Sequence, residues 1–237
     1  MFRQLFDPSS STYTYLLACE RTGDAVLIDP VLEQRERDLA LVAQLGMHVR
    51  WLLDTHVHAD HVTAASALKE ALKAVLPAAE APTTAVGLAC EAAGYERALN
   101  HGDRLDFGDE HLDVIATPGH TPGSMSFLWR DRLFTGDALL IGGCGRTDFQ
   151  GGSAGALYDA ITKHLFTLPG ETLVYPGHDY RGRRVSCIAE ERETNPRLAT
   201  TSRDEFIALM AALNLPKPRL IDLAVPANKQ AGAVVQG

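Results

Sequence analysis

Histidine and aspartate residues crowd into one short stretch of this chain. The stretch covers residues 55–61 with the sequence THVHADH, so three imidazoles and one carboxylate lie within seven residues. A largely apolar run over 49–54 precedes it and is typical of a buried strand. Because imidazoles and carboxylates are donors for transition metals, the stretch predicts a metal site in a loop that leaves a strand.

Three further segments present residues of the same kind. The motif TPGHTPG presents His120, while the sequences TGD and PGH present Asp137 and His178. Each of these segments follows a short apolar run that is typical of a strand. Since loops at the ends of neighbouring strands can converge on one pocket, we expect all four segments to meet at one site.

The remaining periodicity predicts two β-rich halves, each with its own helices. Strands are predicted over 2–6, 13–19, 24–29, 49–54, 84–87, 104–107, 112–117, 124–129, 132–135 and 172–175, and helices over 33–45, 61–75, 157–166 and 203–213. This order suits two mixed sheets packed face to face with helices outside each, which is an α+β, four-layer αββα sandwich. A length of 237 residues predicts a single domain over 1–237, with a frayed tail from about residue 230.

Charge and composition exclude several partners. The formal net charge is −8 and the basic residues are scattered, which argues against nucleic acid as a partner. The sequence contains no apolar run near the roughly 18 residues that a membrane-spanning helix needs. The N-terminus has no charged segment followed by an apolar one, so we expect a cytoplasmic protein without a targeting signal.

The cysteines predict reduced thiols. Four of them, Cys19, Cys90, Cys144 and Cys187, lie far apart without a C-x-x-C pair, which argues against a disulfide framework. Cys144 stands in the glycine-rich run 142–145, which lacks the strand-to-helix context of a dinucleotide site. We therefore expect no organic cofactor, and we interpret Cys144 as a small packing residue rather than a nucleophile.

The order of the motifs resembles the ligand series of the metallo-β-lactamase superfamily. In two-metal members the matching residues would be His56, His58 and His120 for one ion, Asp60, His61 and His178 for the other, and Asp137 as a bridge. The resemblance implies a metal-activated water that hydrolyses esters, thioesters, amides or phosphodiesters. It says little about the substrate.

A narrower resemblance covers nearly the whole chain. The sequence DALLIGGCGRTDFQ over 137–150 is similar to the persulfide dioxygenases, as are LPKP over 215–218 and VPAN over 225–228. This implies one Fe(II) per chain, held by the residues matching His56, His120 and Asp137. With O₂ as cosubstrate, such an enzyme oxidises glutathione persulfide to sulfite and releases glutathione.

The chemistry of that ligand set is consistent with the resemblance. Two histidines and one carboxylate on one side of Fe(II) leave three adjacent positions for O₂ and a sulfur ligand. Zinc has no accessible redox change. Four donors, His58, Asp60, His61 and His178, would then orient the ligands and assist proton transfer. All seven donors for two metals are present, so a binuclear glyoxalase II-type thioesterase acting on S-acylglutathione remains the alternative.

The resemblance also implies residues that bind glutathione. These are Arg146, Tyr180 and Arg197, since a guanidinium can bind a carboxylate through two parallel hydrogen bonds. An ordinary surface salt bridge stays open as the role of either arginine. The family resemblance further implies a homodimer and a functional link to a rhodanese-type sulfurtransferase.

Overall fold

A computed structural model of the chain describes residues 1–199 and 202–233. Within these ranges the strands form two six-stranded sheets. The first contains, side by side in chain order, β1 (Phe2–Asp7), β2 (Thr12–Ala18), β3 (Asp24–Ile28), β4 (His48–Leu53), β5 (Thr83–Gly87) and β6 (Arg97–Leu99). The β1–β2 and β2–β3 pairs are antiparallel, and the other three pairs are parallel.

The second sheet repeats this mixed character. It contains β7 (Arg104–Phe107), β8 (Glu110–Ala116), β9 (Met125–Trp129), β10 (Arg132–Gly136), β11 (Leu173–Pro176) and β12 (Ser186–Cys187), again side by side in chain order. Only the β10–β11 pair is parallel among the described strands of this sheet. That pair puts the ends of β10 and β11 at the same edge.

The two sheets pack against each other through aromatic and aliphatic side chains. Tyr15 and Leu53 of the first sheet share one buried cluster with Phe107, Phe127 and Phe134 of the second. Burial of one such side chain contributes about 1.5–3 kcal/mol. The central layer pair is therefore the main core of the molecule.

Helices cover the outer face of each sheet. They are α1 (Arg35–Leu45), α2 (Ala65–Lys73), α3 (Ala154–Ala160), α4 (Ile188–Thr194), α5 (Arg203–Ala211) and α6 (Ile221–Asn228). Leu68 of α2 packs with Leu52 of the first sheet, and Phe206 of α5 packs with Val174 of the second. The predicted four-layer αββα sandwich is thus confirmed. None of the helices in the described ranges has the length and apolar character of a membrane span.

The helix boundaries differ from the predictions where tertiary contacts intervene. The helix expected over 61–75 begins only at Ala65, because the backbone of 62–64 bonds to the segment 30–32 instead. The helix expected over 157–166 begins at Ala154, after Ser153 caps it, and its second half is a π-helical turn. The first helix ends at Leu45 as predicted, and Gly46 caps it with a left-handed backbone.

Four short elements escaped prediction. These are β6, β12, α4 and α6. The two strands have three and two residues, too few for a readable alternation. Helix α6 contains Pro226, which in a sequence signals a helix break.

The C-terminal tail is packed as far as it is described. Ala231 is buried, and its carbonyl accepts a hydrogen bond from the Ser66 amide. The carbonyl of Lys229 accepts one from the Gly94 amide. The expected fraying from about residue 230 is therefore wrong for 230–233, because these residues pack beside α2, while 234–237 lie outside the described residues.

Candidate metal centre

A cavity of about 540 Å³ opens at the edge where several strands end. The loops that follow β4, β8, β10 and β11 supply Asp60, His120, Asp137 and His178 to its wall. The segment 215–220 contributes further lining residues, which are Leu215, Pro216, Pro218, Arg219 and Leu220. The fold thus brings together the four segments that the sequence predicted to converge.

Three of the predicted metal ligands lie within reach of a single ion. One donor atom each of His56, His120 and Asp137 lies within 4.8 Å of the others. The His120 Nε2 atom is 3.7 Å from Asp137 Oδ2, and the His56 and His120 rings are perpendicular with centroids 4.8 Å apart. All three side chains are largely shielded from solvent. This spacing allows all three side chains to bind the same metal ion.

Hydrogen bonds orient both imidazoles toward that position. His120 Nδ1–H donates to the Arg146 carbonyl at 2.7 Å, which turns Nε2 toward Asp137 Oδ2. The Thr55 hydroxyl donates to Asp29 Oδ2 and can accept from His56 Nδ1 at 3.0 Å. Such partners commonly fix the tautomer of a metal-binding histidine. Burial, aided by the neighbouring His58 and His120, holds the pKa of His56 well below 6.5 and keeps it neutral.

Asp29 is a functional residue that the sequence reasoning missed. It follows β3 with a φ of 51° and is buried. Its Oδ1 accepts from the Thr55 amide at 2.7 Å and from His58 Nε2 at 3.1 Å. The available signal was a carboxylate between a buried strand and a proline. Asp29 therefore holds the histidine loop in place through its hydrogen bonds with Thr55 and His58.

His58 lies between two buried carboxylates. Its Nε2 is 3.1 Å from Asp29 Oδ1 and 3.6 Å from Asp54 Oδ1. Burial alone would lower its pKa, but the two carboxylates outweigh burial and raise the pKa well above 6.5. Asp54 also accepts hydrogen bonds from Thr63 and Tyr95. The sequence reasoning missed Asp54 as well.

His178 links the candidate ligand Asp137 to Asp60. Its Nδ1 is 2.7 Å from Asp137 Oδ1, and its Nε2 is 2.8 Å from Asp60 Oδ2. The same Asp60 oxygen accepts from His61 Nδ1 at 2.8 Å. Burial opposes protonation, yet the flanking carboxylates hold the pKa of His178 well above 6.5. Both ring nitrogens of His178 are thus engaged by carboxylates.

Two ring nitrogens close to His178 and Asp60 have no protein partner. His58 Nδ1 and His61 Nε2 are buried without a hydrogen-bond partner within residues 1–199 and 202–233. An unpartnered buried polar group costs about 1–3 kcal/mol. Donor atoms of His58, Asp60 and His61 also lie within 4.8 Å of one another. The loop therefore offers a place for a second ion or for water.

The predicted glutathione-binding residues all line the cavity, but Arg146 already binds a carboxylate of the protein. Its Nε and Nη2 donate to the two oxygens of Asp148 at 2.7 Å each. Its Nη1 donates to the Pro216 carbonyl at 2.7 Å, and its guanidinium lies 4.5 Å from the Phe149 ring centroid. Arg146 thus forms a salt bridge with Asp148, and its binding of glutathione stays a prediction.

Arg197 and Tyr180 occupy the wall differently. Arg197 Nη1 donates to the Cys144 carbonyl at 2.7 Å. Cys144 itself is buried, in agreement with its interpretation as a packing residue, and burial raises the pKa of its thiol. Tyr180 is 74% exposed, with its ring nearly parallel to that of His178 at 6.1 Å. Its hydroxyl is thus available at the cavity mouth.

Asn228 is a third residue that sequence reasoning missed. It is the last residue of α6 and is fully buried. Its Nδ2 donates to the carbonyls of His58 at 2.9 Å and His61 at 2.8 Å, and its Oδ1 accepts from the Thr63 amide at 2.9 Å. The only signal was its place in the VPAN sequence. One amide thus fastens the histidine loop to the C-terminal helix.

Comparisons with known proteins agree with this geometry. The family model described as Metallo-beta-lactamase superfamily matches residues 8–178. Persulfide dioxygenase ETHE1, mitochondrial, from Homo sapiens is 47% identical over 234 residues, which is 98% of this chain and 89% of the relative. The crystal structure of ETHE1 from Myxococcus xanthus is 55% identical with a TM-score of 0.93, and the match covers 98% of this chain and 100% of that one.

A hydrolase of the same fold is a more distant relative. Hydroxyacylglutathione hydrolase from Rhodospirillum rubrum is 38% identical over 176 residues, which is 72% of this chain and 63% of the relative. Both its identity and its coverage are lower than those of the persulfide dioxygenases. The chain therefore belongs to the metallo-β-lactamase superfamily and, within it, to the family of the persulfide dioxygenases.

Proposed function

We propose that the protein is a glutathione-dependent persulfide dioxygenase with one Fe(II) per chain and no organic cofactor. The reaction consumes glutathione persulfide, O₂ and water, and it yields glutathione, sulfite and two protons. One observation carries the proposal: 47% identity to the human persulfide dioxygenase extends over 98% of the chain. His56, His120 and Asp137 supply the donors that such a reaction needs, and His120 and Asp137 line the cavity.

The donor set fits a ferrous ion. His56, His120 and Asp137 would hold it, with the His56 ring oriented by Thr55 and the His120 ring by the Arg146 carbonyl. Bound there, Fe(II) supplies adjacent open positions for O₂ and sulfur together with a redox change that zinc lacks.

The surrounding residues hold protons and shape the ligand atoms. His178 Nδ1–H donates to Asp137 Oδ1, which leaves Oδ2 as the oxygen facing His120 Nε2. Asp60 accepts from the opposite side of the His178 ring and from His61. We propose that this chain of contacts keeps Asp137 ionised and fixed in orientation. His58, Asp60, His61 and His178 then act around the ligands rather than as ligands.

The two-metal thioesterase is the alternative, and one observation favours it. His58 Nδ1 and His61 Nε2 are buried without hydrogen-bond partners in the described ranges, as expected if His58 bound the first ion and His61 the second. Against it, the hydroxyacylglutathione hydrolase relative is less similar than the persulfide dioxygenases, with 38% against 47% identity and 72% against 98% of this chain covered.

An oxygen electrode separates the two candidates. With glutathione persulfide, we expect O₂ uptake and sulfite release, both abolished by Asp137→Ala. Asp113→Ala is the matched control, because it removes an exposed carboxylate of β8. Cleavage of an S-acylglutathione without O₂ uptake would overturn the proposal. Metal analysis of the active protein should find about one iron per chain, whereas two zinc ions per chain would support the hydrolase.

Substrate binding is part of the same proposal. Tyr180 and Arg197 line the cavity beside the candidate ligands, which supports a contact with the glutathione moiety. Arg146 contributes to the same wall indirectly, because its hydrogen bond to the Pro216 carbonyl holds the segment 215–220. We expect Arg197→Ala and Tyr180→Phe to raise KM more than they lower kcat, as loss of uniform binding does. A fall in kcat alone would contradict that role.

Compartment and partners complete the proposal. All four cysteines are unpaired, which suits a reducing compartment such as the cytoplasm, although the mammalian relatives carry the word mitochondrial in their names. Cell fractionation distinguishes the two. We further propose a homodimer and a functional link to a rhodanese-type sulfurtransferase. Sedimentation analysis tests the first, and a coupled assay with the transferase tests the second.

A further inference from the structure

Arg219 is a cavity-lining cation that lies between the LPKP and VPAN sequences and belongs to neither. It belongs to the segment 215–220 and lines the same cavity as His120 and Asp137. Its guanidinium forms no hydrogen bond or ion pair with any residue in the described parts of the chain. Arg146, by contrast, donates to Asp148, to Leu215 and to Pro216. Of these two arginines, only Arg219 has its donors available to a ligand.

The segment that carries Arg219 is held in place. Arg146 donates to the carbonyls of Leu215 and Pro216, and Lys217 forms an ion pair with Asp222 on α6. Pro216 and Pro218 further restrict the backbone on the N-terminal side of Arg219. A cation presented on a braced segment loses less conformational freedom when it binds a ligand.

The charge of the wall favours an anion. The carboxylates of Asp60 and Asp137 are engaged by His178, and Asp148 is paired with Arg146. A guanidinium without a partner stands out on the wall of a cavity in a chain with a formal net charge of −8. Carboxylates are the anions that a planar guanidinium binds most specifically through paired hydrogen bonds.

We propose that Arg219 binds one carboxylate of the glutathione moiety, while Arg146 positions the segment that presents it. The proposal rests on the function proposed above, because glutathione persulfide brings two carboxylates into the cavity. It assigns the specificity for a persulfide that carries carboxylates to Arg219 in the segment 215–220, rather than to Arg146 in the loop after β10.

Steady-state kinetics of the iron-loaded enzyme test this role. Arg219→Gln should raise KM for glutathione persulfide about fivefold to tenfold and change kcat by less than about twofold, as loss of a charge-assisted contact at an exposed site does. Arg219→Lys should recover part of the loss. Arg184→Gln is the matched control, since it removes an exposed cation that does not line the cavity. Equal KM changes in Arg219→Gln and Arg184→Gln would overturn the proposal.

Substrates that lack one carboxylate identify the contact. The persulfides of the glutathione glycyl ester and of cysteinylglycine each lack one of the two free carboxylates of glutathione persulfide. For one of them, the KM values of the unaltered enzyme and of Arg219→Gln should coincide. If the ratio of the KM of Arg219→Gln to that of the unaltered enzyme is the same for all three substrates, the proposal is wrong. Calorimetric binding of glutathione gives a readout without turnover, and Arg219→Gln should weaken it by the same factor.

Failure of this inference is distinguishable from failure of the proposed function. If the unaltered enzyme consumes no O₂ with glutathione persulfide, the proposed function fails. If it is active and Arg219→Gln leaves both KM and glutathione binding unchanged, only the assignment of Arg219 fails. Unchanged thermal unfolding of the variants excludes a folding defect as the cause.

Discussion

Substitution of Asn228 by alanine should destabilise the fold and weaken metal binding together. The side chain is fully buried and makes three hydrogen bonds to the histidine loop, at 2.8–2.9 Å, to His58, His61 and Thr63. Its removal leaves one amide and two carbonyls without partners, at about 1–3 kcal/mol each when buried. Because entry of a water can replace part of these bonds, we expect a loss of about 3–5 kcal/mol in the free energy of unfolding.

The effect on the metal follows from the position of the contacts. Both carbonyls belong to the loop that also carries His56, so loss of the amide loosens the backbone beside a candidate ligand. Loss of an outer partner of a metal site typically costs 10- to 100-fold in affinity, and we expect about 10-fold here. Urea unfolding of the metal-free protein measures stability, and competition with a ferrous chelator on the folded protein measures affinity.

Asn195 provides a matched control. It is also fully buried and makes three hydrogen bonds, to the Gly143 carbonyl, to Glu191 and from the Arg197 amide. Asn195→Ala should therefore cost a similar unfolding free energy without changing iron affinity. Asn228→Asp should be worse than Asn228→Ala, because a carboxylate would face two carbonyl oxygens. A loss below about 1 kcal/mol for Asn228→Ala, or equal affinity losses in the two alanine variants, would refute the reasoning.

Three further changes have expected outcomes. Burial raises the pKa of the Cys90 thiol to about 11, so iodoacetamide at pH 8 should leave Cys90 unlabelled in the folded protein; rapid labelling, read by mass spectrometry, would contradict this. Burial alone would raise the pKa of Asp7, but hydrogen bonds, chiefly from Ser10, hold it below 3.8. The ionised Asp7 therefore contributes to stability above about pH 4, and this contribution is lost as the pH falls through the folded-state pKa. Asp7→Asn should reduce the fall of the unfolding free energy at acid pH. An unchanged fall would disprove this. A Cβ at Gly94 would lie 2.2 Å from the main chain of the C-terminal tail, so Gly94→Ala should cost about 1–3 kcal/mol in a thermal melt, whereas Gly143→Ala, with open space, should be neutral.

Much of the fold could be predicted because its signals are local. Alternating or continuous apolar runs predicted most of the strands, and the helix predicted to end at residue 45 does end at Leu45. The same holds for the donors, since histidines and aspartates directly after strand ends are visible without any contact map. The tail after residue 230 and the start of α2 could not be predicted, because backbone contacts with distant segments decide both.

The sequence alone determined which chemical groups this protein can offer: seven metal donors, their place after strand ends, and membership of a recognisable family. Only the tertiary structure decided how those groups are used. His178 has both nitrogens engaged by carboxylates, Arg146 is paired with Asp148, and Arg219 has no partner within the described ranges. The physical reason is distance along the chain: Asn228 lies more than 160 residues after the loop that it holds, so no local pattern records the contact.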